Sequence, residues 1–327
     1  MHFFKKTNID FIGKRRTWYF VSLAITLAGI VWALFKGVEY GIDFAGGTEI
    51  QLKFEHVVQI DQIRGALDNG GFRGAEVKYY GPDESGVLIR VRENGAGASA
   101  GAKTTSDVQA ALDKGIQGNK ATLMQNTHIG AKIGAELKQK ALFAVLFTCI
   151  AILIYLAFRF EFVYGLGAVI AIVHDVLVAF AFAVICNGFA PWLNLEMNST
   201  MLAAFLTIVG FSVNDTVIIF DRIREDKRKY KGQDLKTIMN RAINETLPRT
   251  IITSGTVFLT LVVLFIWGGE VLRGFAFTML IGVITGTYSS IFVASAIAYD
   301  WIHRKREMGT GSASMKQAAK QVAPLAQ

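Results

Sequence analysis

Three ionisable side chains lie inside long apolar runs of this sequence: His174, Asp175 and Asp215. Charge in hydrocarbon is costly, so each needs a partner or a task. Asp215 stands six residues before Asp221, where its apolar run ends; on a helix this is about 9 Å of depth. Ser212 and Asp215, three apart, share a helical face, with Thr216 beside them and Asn214 next to the acid. Arg249 opens a later run from the same side, and its long side chain can reach inward to meet Asp215. A carboxyl held between desolvation and a nearby cation can take up and release a proton. His174 and Asp175 lie near the middle of their run; successive helical residues point about 100° apart, so these two are expected on different faces. A plainer reading uses the same residue types: a hydrogen-bonded network that only fixes helix packing, or a single imidazole satisfied by a neighbouring carbonyl.

Other chemistries find little support. There is no Gly-rich nucleotide loop and no H-E-x-x-H. His174 and Asp175 make no zinc site without further ligands. Asp175 and Asp215 could pose as a protease pair, but lack the G-x-G-D context of such intramembrane enzymes. Cys149 and Cys186 have neither metal-site nor disulfide spacing. The expectation is a protein that is not an enzyme, with no cofactor and no metal.

The elements that must hold these residues are apolar spans. Of 327 residues, 52% are hydrophobic and 18% charged, with mean hydropathy +0.38, where a soluble domain carries about 25% charged residues. The runs are Thr17–Phe35, Ala141–Phe158, Phe162–Cys186, Ser199–Phe220, Thr250–Trp267 and Gly274–Tyr299. Each approaches or exceeds the about 18 residues that cross a bilayer. The net charge of +8 comes from Lys and Arg beside the spans, which points away from nucleic acid. Lys14–Arg16, the 221–249 segment and His303–Arg306 are basic, whereas the turns near Glu196 and Glu270 are almost free of Lys and Arg. The positive-inside rule then predicts six crossings with both termini cytoplasmic. The expected organisation is a cytoplasmic segment 1–16, a first helix 17–35, an external domain 36–140, five further helices within 141–299 with a basic cytoplasmic loop 221–249, and a tail 300–327 that is disordered beyond Glu307. Leu235, Ile238, Met239, Ala242, Ile243 and Leu247 share a helical face, which suits a helix on an anionic lipid surface or one packed on the protein itself.

In the external domain, strands are expected at Thr48–Phe54, Ala75–Tyr80, Gly86–Arg92 and Lys120–Thr127, and helices at Gln59–Asn69 and Ser106–Gly115, with Thr105 or Ser106 as N-cap. The order βαββαβ is the ferredoxin-like plan. The Gly/Ala-rich 94–105 stretch is expected to be a mobile loop. Gly282 and Gly286 form a G-x-x-x-G that allows close helix packing.

Three segments carry a resemblance. Gly41-Ile42-Asp43-Phe44-Ala45-Gly46-Gly47-Thr48 follows the first span. Gly210-Phe211-Ser212-Val213-Asn214-Asp215-Thr216 leads into Phe220-Asp221-Arg222-Ile223-Arg224-Glu225. Residues 240–256 read N-R-A-I-N-E-T-L-P-R-T-I-I-T-S-G-T. Together, from about Phe11 to His303, the chain resembles the SecF branch of the SecD/SecF family of protein-export membrane proteins. The resemblance implies a membrane α-helical half of an RND-type bundle, six transmembrane helices with an inserted α+β ferredoxin-like periplasmic domain, in the bacterial inner membrane. It implies pairing with SecD, association with the SecYEG channel and with SecA, YajC and YidC, and use of the proton-motive force late in the export of unfolded polypeptide. It carries Asp215 over as a proton-path carboxylate, Arg249 as its basic neighbour, and Asp43, Gly46 and Gly47 as an external motif of structural role. His174–Asp175 sits where the family often has a similar pair. An RND-type half-transporter for small molecules or lipids, and a pure assembly scaffold, are the alternatives.

Overall fold

The apolar runs fold as helices because a bilayer leaves backbone groups no other partner. The structure, a computed structural model, describes residues 7–80, 85–92, 98–190, 193 and 195–305. Among these are six helices long and apolar enough to span a membrane. A short 3₁₀ turn, Ile12–Lys14, leads into α1 (Arg15–Lys36); the others are α5 (Ala131–Arg159), α6 (Phe162–Phe189), α7 (Ser199–Lys229), α8 (Leu235–Trp267) and α9 (Gly269–Ser289). Beyond α9 a π-helical turn, Ser290–Ala294, passes into helix again over 295–305. Between α1 and α5 lie a one-turn helix α2 (Ile42–Ala45), β1 (Gly47–Phe54), α3 (Ile60–Asn69), β2 (Glu76–Tyr80), β3 (Gly86–Val91), α4 (Ala98–Gly115) and β4 (Ala121–Ile129).

Several helices outrun their apolar segments. The 29 residues of α5 begin at Ala131, and α7 continues to Lys229. Lys, Arg, Glu and Gln are good helix formers, so the helix need not stop where the hydrocarbon does. The basic loop is thus mostly helix. α8 starts at Leu235, capped by Asp234, whose carboxylate accepts the Lys236 N–H at 3.1 Å. Leu235, Met239, Ala242 and Ile243 are buried with Phe11, Ile12, Ile219, Phe220 and Ile223, and Ile238 is buried too. Of the two expectations for this face, the structure shows packing on the protein's own end. Pro248 consequently lies inside a 33-residue helix and not in a first turn. The start of the chain is tied to the same helix: Asn244 Oδ1 accepts from Ile9 N and Asn240 Oδ1 from Ile12 N, both at 3.0 Å. The Asp10 carboxyl is lowered to about 2 by hydrogen bonds from Lys236 and from Gly13 N–H.

The inserted domain has one antiparallel sheet in the order β2-β3-β1-β4, the ferredoxin-like arrangement. Ile50, Leu52 and Phe54 of β1 alternate onto one face, where Ile63 and Leu67 of α3 and Val108 and Leu112 of α4 complete a core. The four strands lie within one to two residues of their expected bounds. β4 is weakly patterned because a bulge interrupts its pairing: Gln51 faces Gln125 and Leu52 faces Leu123, leaving Met124 unopposed. The 94–105 expectation fails from Ala98 onward, where α4 has begun; Ala is the best helix former and offsets the single Gly101. Thr105 is accordingly no cap but a mid-helix residue, its Oγ1 donating to Gly101 O at 2.8 Å. Residues 94–97 and the tail from 306 lie outside the described residues.

α9 is the axis of the bundle, packed on α6, α7 and α8. The bundle has a domain end, where α2 and the sheet sit, and a basic end, where α7 turns into α8.

Candidate functional site

Three consecutive residues of α9 reach the polar groups that the apolar spans carry. Ser289 Oγ donates to Asp175 Oδ2 at 2.7 Å. Tyr288 OH lies 3.0 Å from His174 Nε2. Thr287 Oγ1 lies 2.8 Å from Ser254 Oγ, and Ser254 Oγ in turn donates to Asp215 Oδ2 at 3.4 Å. The approach of α9 to α7 that permits this is set by Gly282, whose missing Cβ leaves room for Ile208, and by Gly286 against Ser212.

Asp175 is fully buried and fully partnered. Ser212 Oγ donates to its Oδ2 at 2.5 Å, and His174 Nδ1 lies 3.0 Å from its Oδ1. His174 and Asp175 therefore meet after all: their side chains are long enough to close the angle between neighbouring helix positions. From His174 the contacts continue through Tyr288 OH to Ser22 Oγ on α1, 3.3 Å away. Trp18 stacks on the Tyr288 ring at 5.5 Å and holds it in place.

Asp215 is 1% exposed, with Ser254 as its hydrogen-bond partner. Nearby, Thr216 and Thr250 are buried with hydroxyls that find no hydrogen-bond partner among the described residues. The expected pairing of Arg249 with Asp215 is not made: Arg249 is exposed, and no ion pair joins the two among the described residues. A guanidinium at the start of a span gains more by staying in water than by desolvating to reach a carboxyl. Asn214 is likewise exposed, since it follows Val213 around the helix and away from the Ser212–Asp215 face. The site so built holds two carboxyls, an imidazole, a phenol and the hydroxyls of Ser22, Ser212, Ser254, Thr287 and Ser289 in an apolar bundle, groups that can hold protons and pass them on.

At the domain end, Asp43 accepts from Ser199 N at 2.8 Å and from its hydroxyl. It thus joins Asn198, which accepts from Met201 N at 2.8 Å, in capping α7, the helix that carries Ser212 and Asp215. Gly46 has φ +74°, and a Cβ there would lie 2.7 Å from Ala131 Cα at the start of α5. Gly47 has φ +129°, and its Cβ would lie 2.6 Å from Val91 O. Both positions need glycine for conformation and for space.

Next to this motif is a cluster that sequence reasoning missed. Arg90 of β3 lies 2.5 Å from Glu196, 2.7 Å from Glu49 and 3.3 Å from Glu76. Lys78 of β2 lies 2.6 Å from Glu196 and 3.1 Å from Glu39. Burial works against both cations, but the facing carboxylates outweigh it and hold Lys78 and Arg90 above their ordinary values. For Glu39, burial is outweighed by Lys78, with Asn187 and Arg90, and the carboxyl is held below its ordinary value. Tyr288, Thr287 and Ser22 were also missed. A tyrosine hydroxyl inside an apolar run was the available sign.

Comparison with known proteins gives these features a context. Residues 108–304 match the family described as protein export membrane protein SecD/SecF, C-terminal, and residues 31–56 match the SecD/SecF GG motif. A protein translocase subunit SecF from Magnetococcus marinus is 44% identical, over 90% of this chain and 92% of its own. Its counterpart from Calditerrivibrio nitroreducens is 39% identical, over 90% and 94%. The crystal structure of SecDF from Thermus thermophilus, titled a translocon-associated membrane protein, superposes with a TM-score of 0.79 at 32% identity, over 91% of this chain. A second SecDF structure gives 0.68 at 31%. This chain spans 39% of the first SecDF chain and 41% of the second. With the C-terminal match running from α4 to the last helix and the GG motif lying where Asp43 caps α7, the chain belongs to the SecD/SecF family of protein-export membrane proteins.

Proposed function

We propose that this chain is the SecF-type half of a proton-driven accessory complex of the Sec translocase. It pairs with a SecD-type half that supplies six more spans, and the pair acts beside the SecYEG channel, where SecA, YajC and YidC are further neighbours. In this reading the protein sits in the inner membrane with both termini and the basic end cytoplasmic, and the ferredoxin-like domain periplasmic. The basic turn between α7 and α8 supports that orientation.

One observation carries the mechanism: a single stretch of α9 contacts Asp175 directly and Asp215 through Ser254. Protonating a buried carboxyl removes an acceptor of charge-assisted hydrogen bonds and alters which hydroxyls it holds. A change at Asp175 or Asp215 is thereby transmitted to α9, and a change in α9 to the other carboxyl. Arg249, at the cytoplasmic side, supplies the positive potential at the entrance. The π-helical turn at Ser290–Ala294 gives the helix below the site a register that can shift, a use such turns often serve. The α7 cap at Asp43 and the Arg90–Glu196 contact pass the movement to the domain that meets the exported chain. Each charge that crosses the membrane supplies about 2.3 kcal/mol per 100 mV, so a few protons suffice to bias a rigid-body motion. The test is Asp215→Asn, with Asp175→Asn beside it, in cells depleted of the native protein. At normal expression, precursor processing should lose its stimulation by the proton gradient; a gradient response equal to that of the unaltered protein sinks the mechanism.

A further inference from the structure

At the basic end, α5 turns into α6 at Phe160–Glu161, and the last turns of α7 pass beside this corner. A cavity of about 540 Å³ lies there, next to a second of about 530 Å³ that shares Arg159, Arg224 and Arg228 with it. The first cavity has five cations, Arg159, Arg224, Lys227, Arg228 and Lys231, and one carboxylate, Glu161. Arg159 is taken up by Asp221 at 2.7 Å, and Lys227 stands 3.9 Å from Glu161. Arg224, Arg228 and Lys231 are exposed and pair with no carboxylate among the described residues. The floor is aromatic and rigid: Tyr164 and Phe160 both pack edge-on against Phe220, at 5.0 and 5.9 Å. Phe158, in the lining, is 90% exposed, and Phe162, next to Glu161 at the start of α6, is 67% exposed.

We infer that this corner is a binding site for an anionic phospholipid. Three unpaired cations call for phosphate or another strong anion. Phe158 and Phe162 stand at the junction of two spans, where the surroundings pass from hydrocarbon to water. A ligand that satisfies both must carry a negative headgroup and apolar tails. An acidic protein surface answers the cations but leaves the two phenylalanines against water; free phosphate answers the cations alone. The site is separate from the polar groups of α6, α7 and α9, and the inference rests only on the six helices crossing a bilayer.

The test titrates the full-length protein in detergent with phosphatidylglycerol and with phosphatidylcholine, counting bound lipids by native mass spectrometry. Phosphatidylglycerol should bind more tightly, and Arg224→Gln and Arg228→Gln should each reduce that preference about fivefold, the effect of one cation near a membrane surface. Arg304→Gln with Lys305→Gln, which changes exposed cations outside the cavity, should leave it unchanged. Lys231→Gln, outside any helix, repeats the test where a fold defect is not at issue. Equal binding of the two lipids, or equal loss in the Arg304/Lys305 variant, overturns the site. Displacement of phosphatidylglycerol by inorganic phosphate as effectively as by a short-chain phosphatidylglycerol overturns the lipid assignment and leaves a simple anion site.

Discussion

Arg90, on the central strand β3, lies 2.5 Å from Glu196 in the turn that precedes α7, and the two are 5% and 3% exposed. This pair joins the face of the sheet away from α3 and α4 to the bundle. Removing one partner of a buried pair strands the other charge, at a cost of about 3–5 kcal/mol. Arg90 serves Glu196, Glu49 and Glu76, whereas Glu196 lost from the cluster leaves Arg90 with Glu49 and Lys78 with Glu39. Arg90→Met should therefore destabilise more than Glu196→Gln, with both raising amide exchange in β2 and β3. Thermal unfolding and exchange on the purified protein check the order; equal midpoints for the two variants and the parent would show the contact to be incidental.

The same cluster sets a pH window for docking of the domain. Glu39 is held below its ordinary value, so its stabilising share is complete above about pH 4.3 and is lost as pH falls through the lowered value. Lys78 is held above its ordinary value, so its share is complete below about pH 10.4 and is lost as pH rises through the raised value. Docking should be steady across the neutral range and weaken at both extremes. Glu39→Gln should flatten the acid limb and, because Glu39 also helps to raise Lys78, weaken the alkaline limb to a lesser extent, Glu196 remaining beside Lys78. A melting temperature measured against pH reads this directly, and an unchanged acid limb in Glu39→Gln would remove Glu39 from the account.

Tyr288 links His174 to Ser22 through one hydroxyl. Tyr288→Phe keeps the ring stacked on Trp18 and deletes only the O–H. The stability cost should be near that of one hydrogen bond, about 1 kcal/mol. If protons pass along His174, export in the variant should lose much of its gradient dependence while the protein accumulates normally. Full gradient dependence in Tyr288→Phe would confine His174 to a packing role.

The spans, the ferredoxin-like order and the acids at 175 and 215 were legible because each rests on a short-range pattern: hydrophobic length, alternation, or the cost of charge in an apolar run. What escaped depends on contacts across the fold. Arg90 and Lys78 read as ordinary outward strand residues until β3 is found covered on both faces. Arg249 and Asn214 sit next to the site in sequence but are exposed and make no hydrogen bond or ion pair with its carboxyls among the described residues, because reach and helical phase decide contact. Tyr288 was hidden by its own ring, which counts as apolar until a partner for its hydroxyl is known. Asp43 was marked only through the resemblance, as part of an external motif, and its use as a cap of α7 joins residues 156 positions apart.

Gly282 and Gly286 offer a graded test of the α7–α9 approach on which the site depends. A Cβ at 282 would overlap Ile208 Cγ1 and Cδ1, whereas one at 286 would lie 3.3 Å from Ser212 Cβ. Overpacking of this kind costs about 1–3 kcal/mol. Gly282→Ala should be the more destabilising, and Ile208→Ala should relieve it in part by clearing the overlapped atoms. Gly286→Ala should leave stability nearly unchanged yet shift Ser212, and with it the hydrogen bond to Asp175. Thermal midpoints of Gly282→Ala, of Gly282→Ala combined with Ile208→Ala, and of Gly286→Ala measure the first effect and gradient-dependent export the second. A Gly282→Ala protein as stable as the parent would mean that α9 can move away from α7 at little cost, and that the separation of these helices does not fix the site.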